Sequence, residues 1–303
     1  MVNDKRVIVL LSTYNGEKYV EQQLESIFNQ TYRNTEVFVR DDGSTDSTVR
    51  ILREFEKKGK IRLVCGENLG YVGSFNWLLS NAASADYFSF ADQDDVWLKD
   101  KIERAVIALG TLEPDKPALY FGNFDYYDKD LNFISHKKSL KTKLTLKSTL
   151  LDFKGYGFTC VINNELKRLF LMMEPGKTFP HDYLSLLIGT SMGNIVYEKE
   201  ACAKYRRHDK NASVFGRSFI KFQIWRVKNF LLRDKFGYKQ KFVDFFSTYG
   251  SMLNEEDRKF LKLFINTRYR IDYALKKAFY PTRYRENLFD ELAVRILAII
   301  GRL

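Results

Sequence analysis

Tyr87-Phe-Ser-Phe-Ala-Asp-Gln-Asp-Asp-Val-Trp97, YFSFADQDDVW, drives an apolar run straight into three carboxylates, Asp92, Asp94 and Asp95. Tyr87 to Phe90 reads as a strand, so the acidic triplet sits at its C-terminal end. Carboxylates this close repel one another, and at neutral pH something must offset the repulsion. Open solvent around a surface turn is one offset and needs no ligand. A bound divalent cation is the other, because Mg2+ and Mn2+ favour oxygen ligands.

The same pattern occurs twice upstream. Val7-Ile-Val-Leu-Leu11 reads as a buried strand and ends in the turn Ser12-Thr13-Tyr14-Asn15-Gly16. Glu36-Val-Phe-Val39 is a strand that stops at Asp41-Asp42-Gly43-Ser44-Thr45-Asp46, a turn with a helix N-cap. Val20, Leu24, Ile27 and Phe28 form a helical stripe after the first turn, and Val49, Leu52 and Phe55 form one after the second. Ile61-Arg-Leu-Val64 is a third strand, Asn68 to Gly73 a glycine-containing loop, and Phe75 to Leu79 the start of another helix. Strands alternating with helices predict an α/β protein with a parallel sheet and right-handed crossovers. Ligands of such sheets bind outside the carboxyl ends of the strands. Thr13 to Glu17, Asp41 to Asp46 and Asp92 to Asp95 all fall at those ends. Nothing local requires that coincidence, and it weighs against an incidental surface turn.

Farther along, Ala118-Leu-Tyr-Phe121, Thr159-Cys-Val-Ile162 and Asn194-Ile-Val-Tyr197 look like strands, and Tyr183 to Ile188 like a helix. Beyond Ser218 the pattern is helical and repeatedly aromatic-basic. Charge follows the same division. From Arg217 to Leu303 there are 19 Lys and Arg against 9 Asp and Glu, a net of +10 out of the chain's +11. A basic end on a nearly neutral body points to one end that meets an anionic surface rather than to nucleic acid. No run approaches the roughly 18 apolar residues of a membrane span, and no signal peptide is visible. Cys65, Cys160 and Cys202 lack metal-ligand spacing and are expected to be buried free thiols of a reducing cytosol.

An anionic nucleotide suits these clusters. Asp42 can accept a hydrogen bond from a pyrimidine N3–H, Thr13 and Tyr14 can hold base or ribose, and a metal on Asp92 and Asp94 can compensate a diphosphate. No G-x-x-x-x-G-K-[ST] appears, and no G-x-G-x-x-G follows the first strand, so neither a P-loop nor a dinucleotide fingerprint is present.

The segments STYNGEKYVEQQLESIFNQTY, VRDDGSTDST, ENLGYVGSFN and FADQDDVWLKDKIE together resemble the family 2 glycosyltransferases of GT-A fold. HDYLSLL and YRRHDKN extend the likeness to about residue 211, and the Asp-Gln-Asp-Asp form looks most like bacterial rhamnosyltransferases of surface polysaccharides. The resemblance implies a GT-A, Rossmann-like mixed sheet flanked by helices, taken as residues 1–216; the charge and helical pattern of 217–303 set those residues apart as a helical basic extension. It assigns Thr13, Tyr14, Asn15, Glu17, Asp42, Asn68, Gly70, Asp92 and Gln93 to the nucleotide sugar. Asp92, Asp94 and His208 become metal ligands for Mn2+ or Mg2+, and Asp182 the catalytic base. Trp97, His181 and Arg206 are expected to contact acceptor or support loops. Some relatives place an arginine in or near the loop that here reads ENLGYVG and has none.

The resemblance thus implies an inverting sugar transfer, with L-rhamnose from dTDP-L-rhamnose the favoured donor and UDP-hexoses or UDP-N-acetylhexosamines the alternative. The acceptor it implies is a lipid-linked saccharide at the inner face of the bacterial plasma membrane. In the C-terminal region Phe219, Phe222, Trp225, Phe230, Leu231 and Leu232 interleave with Lys221, Arg226, Lys228 and Arg233, and Leu292, Ile296, Leu297, Ile299 and Ile300 form an apolar stripe. Interfacial helices on an anionic leaflet fit this pattern. A helical subdomain that buries its aromatics in a core or a homo-oligomer contact fits it too. A nucleotidyltransferase would share the acidic pair but would carry a glycine-rich basic phosphate loop. A non-catalytic binder would leave Asp182 without a role.

Overall fold

A computed structural model describes residues 4–174, 179–208, 238–265 and 269–302. It divides into two units. The first comprises Met1–Leu140, Lys154–Met172 and Thr178–His208; the second comprises Lys141–Phe153, Met173–Lys177 and Asp209–Leu303. Position 216, where the sequence reading sets the boundary, lies outside the described residues.

The first unit begins with β1 (Val7–Thr13), α1 (Val20–Phe28), β2 (Thr35–Asp41), α2 (Thr48–Lys57), β3 (Arg62–Cys65), α3 (Gly70–Asn81) and β4 (Tyr87–Ala91). These strands pair in parallel in the order β3-β2-β1-β4. Val7 to Leu11 are all buried because both sheet faces are covered, which is why the strand reads as a continuous apolar run. Val7, Val9 and Leu11 pack with Val20, Leu24 and Leu52 on one face. On the other, α3 packs against β1 and β2, with Phe75 against Phe90 and Trp77 against Phe38.

Beyond β4 come β5 (Val96–Trp97), α4 (Lys101–Gly110), β6 (Ala118–Tyr127), β7 (Phe133–His136), β8 (Cys160–Asn163), α6 (Asn164–Phe170), α7 (His181–Met192) and β9 (Asn194–Arg206); α5 (Leu146–Thr149) falls in the second unit. β8 runs antiparallel between β4 and β6, β9 lies parallel to β6, and β5 pairs antiparallel with β9. The sheet is therefore mixed, as the family resemblance implies: β1 to β4 pair in parallel, and a second parallel pair, β6 with β9, lies beyond the antiparallel β8. β5 and β7 are too short or too polar for the apolar pattern to reveal them. Cys160 and Cys202 are buried, but Cys65 is exposed, against expectation. It ends β3, which is an edge strand with a neighbour on one side alone.

The second unit contains α5, α8 (Tyr238–Tyr249), α9 (Glu255–Ile265), α10 (Ile271–Ala278) and α11 (Leu288–Ile299). Its aromatics Phe242, Phe245, Tyr249, Phe260, Phe264 and Tyr284 form a core. Glu291, 6% exposed, accepts hydrogen bonds from the backbone of Tyr284 and Arg285, which ties the loop before α11 to that helix. The apolar stripe near the end splits: Leu297 turns inward, whereas Leu292, Ile296, Ile299 and Ile300 face outward together with Leu288 and Phe289. The aromatic-basic stretch from Phe219 to Arg233 lies outside the described residues. No helix among the described residues is long and apolar enough to cross a membrane.

Candidate active site

The carboxyl ends of β1, β2 and β4 meet through side-chain bridges. Gln93 reaches back to β1: its Oε1 accepts the Tyr14 N–H at 2.8 Å and its Nε2 donates to the Tyr14 carbonyl at 2.9 Å. Gly16 is required by this clamp, since a Cβ there would stand 2.1 Å from Gln93 Oε1. Asn15, held at φ 50°, accepts the Thr45 N–H, and Glu17 accepts the Ser47 N–H, so the first turn is stitched to the second. Asn15, Glu17 and Gln93 thus hold the rim together. The Tyr14 ring, 47% exposed, stays open to a ligand.

The paired aspartates after β2 differ. Asp41 is saturated: it accepts the hydroxyls of Thr13 and Ser44 and the N–H groups of Gly43 and Ser44. Thr13, assigned to the nucleotide from sequence, is 1% exposed and spends its hydroxyl on Asp41, so it shapes the turn instead. Asp42 accepts through Oδ1 from the Arg40 guanidinium and from the Leu69 N–H at 3.0 Å. Asn68 accepts the Gly70 N–H at 2.9 Å, and Gly70 adopts φ 67° where α3 begins.

Asp92, Asp94 and Asp182 come together at the end of β4. Burial and the nearby charges of Asp94 and Asp182 push the Asp92 carboxyl up to about 7. Asp182 stands in the first turn of α7 and accepts the Tyr183 N–H at 2.8 Å. Burial raises it to about 6, and the backbone N–H groups of Tyr183 and Gly157 oppose that rise. His208 Nε2 lies 2.8 Å from Asp94 Oδ2, and its ring stacks on Tyr19 at 4.9 Å. Asp95 is fully buried and accepts the Arg206 N–H, and burial followed by the Asp94 and Asp92 charges lifts it well above the carboxylate range. Arg206 also donates to the carbonyls of Asp94 and Lys129 and lies over Tyr19, so it braces the acidic turn.

One more expectation changes. Trp97 is 3% exposed and packs in the core with the Lys101 ammonium over its ring, so it does not meet an acceptor. The reason is β5, which pairs Trp97 with Ala203 and carries the chain inward. His181 is 3% exposed against Phe75 and Phe90, and burial depresses it to about 3, so it remains a neutral ring behind Asp182. Arg40 and Lys101 were missed by sequence reasoning. The signal for Arg40 was a charge inside an apolar strand directly before the aspartate pair.

Among the described residues no three His, Cys, Asp or Glu side chains already form a metal-ligand group. The chemistry nonetheless suits a cation. Asp94 and His208 place a carboxylate oxygen beside an imidazole nitrogen, a donor pair that Mn2+ accepts, and the repulsion that adds to burial in raising Asp92 is what a divalent charge relieves.

The family model for glycosyl transferase family 2 matches residues 8–165, more than half of the chain. The chain belongs to glycosyl transferase family 2. Its first unit, with the mixed sheet and the acidic strand-end cluster, has the GT-A glycosyltransferase fold. Curated relatives include an uncharacterized glycosyltransferase of Rickettsia typhi, 28% identical over 67% of this chain and 64% of that protein. A dTDP-rhamnosyl transferase of Shigella flexneri is 34% identical over 51% of this chain and 54% of that one. Among curated relatives the chain spans just under two thirds of the Rickettsia typhi protein and about a third of a Haemophilus influenzae glycosyltransferase, 34%. Similar solved structures share the fold: S. aureus TarS 1-349 (TM-score 0.59, 15% identity, 98% of this chain and 80% of that one) and the Pyrobaculum calidifontis mannosyltransferase PcManGT in complex with GDP-Man and Mn2+ (TM-score 0.53, 16% identity, 98% and 74%). TarS 1-349 has also been solved in complex with UDP-GlcNAc (TM-score 0.56, 15% identity, 97% and 89%).

Proposed function

We propose that this glycosyltransferase moves a sugar from a nucleoside diphosphate donor to an acceptor hydroxyl with inversion, using Asp182 as the base. One observation carries the reading: the Asp182 carboxyl, raised to about 6 by burial, stands at a helix start near enough to the acidic strand terminus that its charge helps raise Asp92. A carboxylate in that range is a competent base near neutral pH. In the transfer the acceptor O–H proton goes to Asp182, and the freed oxygen bonds to the anomeric carbon. The bond from that carbon to the diphosphate breaks, and its electrons leave with the nucleoside diphosphate. The transition state is oxocarbenium-like. Asp92, Asp94 and His208 would hold the Mn2+ or Mg2+ ion, which when bound supplies Lewis-acid stabilisation of the leaving diphosphate. Asp42 faces the base, and Tyr14 is free to meet base or ribose.

The favoured donor is dTDP-L-rhamnose, supported by the Shigella flexneri likeness, and a UDP-sugar is the second reading, supported by the TarS complex. The acceptor is read as a lipid-linked saccharide. The outward apolar face of α11 and the net +10 of residues 217–303 support docking on the anionic inner leaflet of the bacterial plasma membrane, where such an acceptor resides. The same face can instead pair two copies of the chain.

A donor panel tests the reading. Nucleotide sugars are incubated with lipid-linked rhamnosyl or GlcNAc acceptors, with Mn2+, Mg2+ or EDTA, and the product's anomeric configuration is read by NMR. Inverted product from dTDP-rhamnose, lost in EDTA, is expected. Retained configuration removes Asp182 from the base role, and transfer from UDP-sugars alone replaces the rhamnosyl donor.

A further inference from the structure

Asp42 is 2% exposed, and with Oδ1 already engaged it is not free to bind through both oxygens. Arg40, on β2, is 3% exposed. Its Nη1 pairs with Asp42 Oδ1 and lies 3.3 Å from Ser74 Oγ, its Nη2 donates to the Glu67 carbonyl at 2.8 Å, and its guanidinium packs over Trp77 at 5.6 Å. Gly66 lets the guanidinium through, since a Cβ there would stand 2.8 Å from Arg40 Nη2. The Leu69 N–H also lands on Oδ1. Oδ1 therefore carries two donors, whereas Oδ2 carries none from the described residues.

We infer that Arg40 is a positioning residue for donor selection: by occupying Asp42 Oδ1 it leaves one carboxylate oxygen to read the base, which favours uracil and thymine over guanine and cytosine. This rests on the nucleotide-sugar reading above. Uracil and thymine present a single imide N–H at N3, which one oxygen satisfies. Guanine presents N1–H and the 2-amino group side by side and matches a carboxylate with both oxygens open. Cytosine presents an acceptor at N3, which meets the carboxylate as a repulsion. The arginine also accounts for the loop that lacks one. ENLGYVG is tied at Glu67 by Arg40 and at Leu69 by Asp42, so the cation that fixes this loop comes from the neighbouring strand.

The experiment is calorimetric titration of the full chain with UDP, dTDP, GDP and CDP in Mn2+, for wild type, Arg40→Gln and Arg40→Lys, with thermal melts to confirm folding. Wild type is expected to bind UDP and dTDP at least about tenfold more tightly than GDP and CDP. Arg40→Gln should narrow the UDP-to-GDP ratio by about tenfold, and Arg40→Lys should keep part of it. A partly unfolded variant lowers the binding-competent fraction for all four nucleotides alike, so the ratio isolates selection from stability. Equal wild-type affinity for UDP and GDP overturns the inference alone. So does an Arg40→Gln variant that weakens all four by one factor. Wild type that binds none of the four overturns the nucleotide-sugar reading as well.

Discussion

In the proposed transfer Asp182 and Asp92 set the pH behaviour, because both are raised in the folded state and the proposed roles need both ionised. Turnover at saturating donor should fall on the acid side as Asp182 protonates near pH 6, and donor affinity in Mn2+ should fall as Asp92 protonates near pH 7. A kcat profile flat down to pH 4.5 removes Asp182 from the reaction. Asp182→Asn should lower kcat by roughly a hundredfold or more while donor binding changes little; Asp94→Ala should instead weaken donor binding in Mn2+. Stability runs the opposite way. An acid raised on folding binds its proton more tightly in the native state, so stability is lost as pH rises from the unfolded value near 3.8 through about 7. Asp92→Asn should therefore raise the Tm at pH 8 and change it little at pH 4. An equal shift at both pH values would show that no charge strain is stored there.

Lys101 ties β5 to the turn beside Asp182. It is fully buried near the start of α4; its ammonium donates to the Phe158 carbonyl at 2.8 Å and lies 3.0 Å from the centre of the Trp97 ring. Burial depresses it to about 7, with the charges of Asp95 and Asp92 among those opposing the shift. Phe158 lies in the short 3-10 turn Gly157–Thr159, and the Gly157 N–H faces Asp182. The lysine thus bolts the turn that hydrogen-bonds Asp182, the proposed base, to β5. Lys101→Met keeps the volume but leaves the Phe158 carbonyl without this donor, and should cost about 1–3 kcal/mol in urea unfolding. The same substitution should lower kcat more than it raises the KM for donor. An unchanged kcat would leave Lys101 a purely structural bolt.

At the scale of the molecule, the first unit holds the candidate site, and the second has an apolar surface that its own described residues do not bury. The outward arc of α11, with Phe289 78% and Leu288 71% exposed, has Leu292 and Ile296 in line along the helix. Replacing Phe289, Leu292 and Ile296 together by Ser should abolish co-sedimentation with anionic liposomes and leave UDP and dTDP binding unchanged. If liposome binding persists while the chain shifts from dimer to monomer in light scattering, the face is a subunit contact.

Much of the first unit is legible in the sequence for a physical reason. Strands covered on both faces must be apolar throughout, so β1, β2 and β4 stand out, and the polar groups that follow each of them are fixed to one edge by parallel topology. Local signals also place Asp182 at a helix start and Asp42 after its strand. The division of labour among those groups was decided only by packing. Thr13 and Asp41 look like ligands in one dimension but satisfy each other, Trp97 turns inward because β5 pairs with β9, and Arg40 reaches a loop 27 residues away. Hydrogen-bond saturation is a property of neighbours in space, and sequence order does not record which oxygen of a carboxylate is already taken.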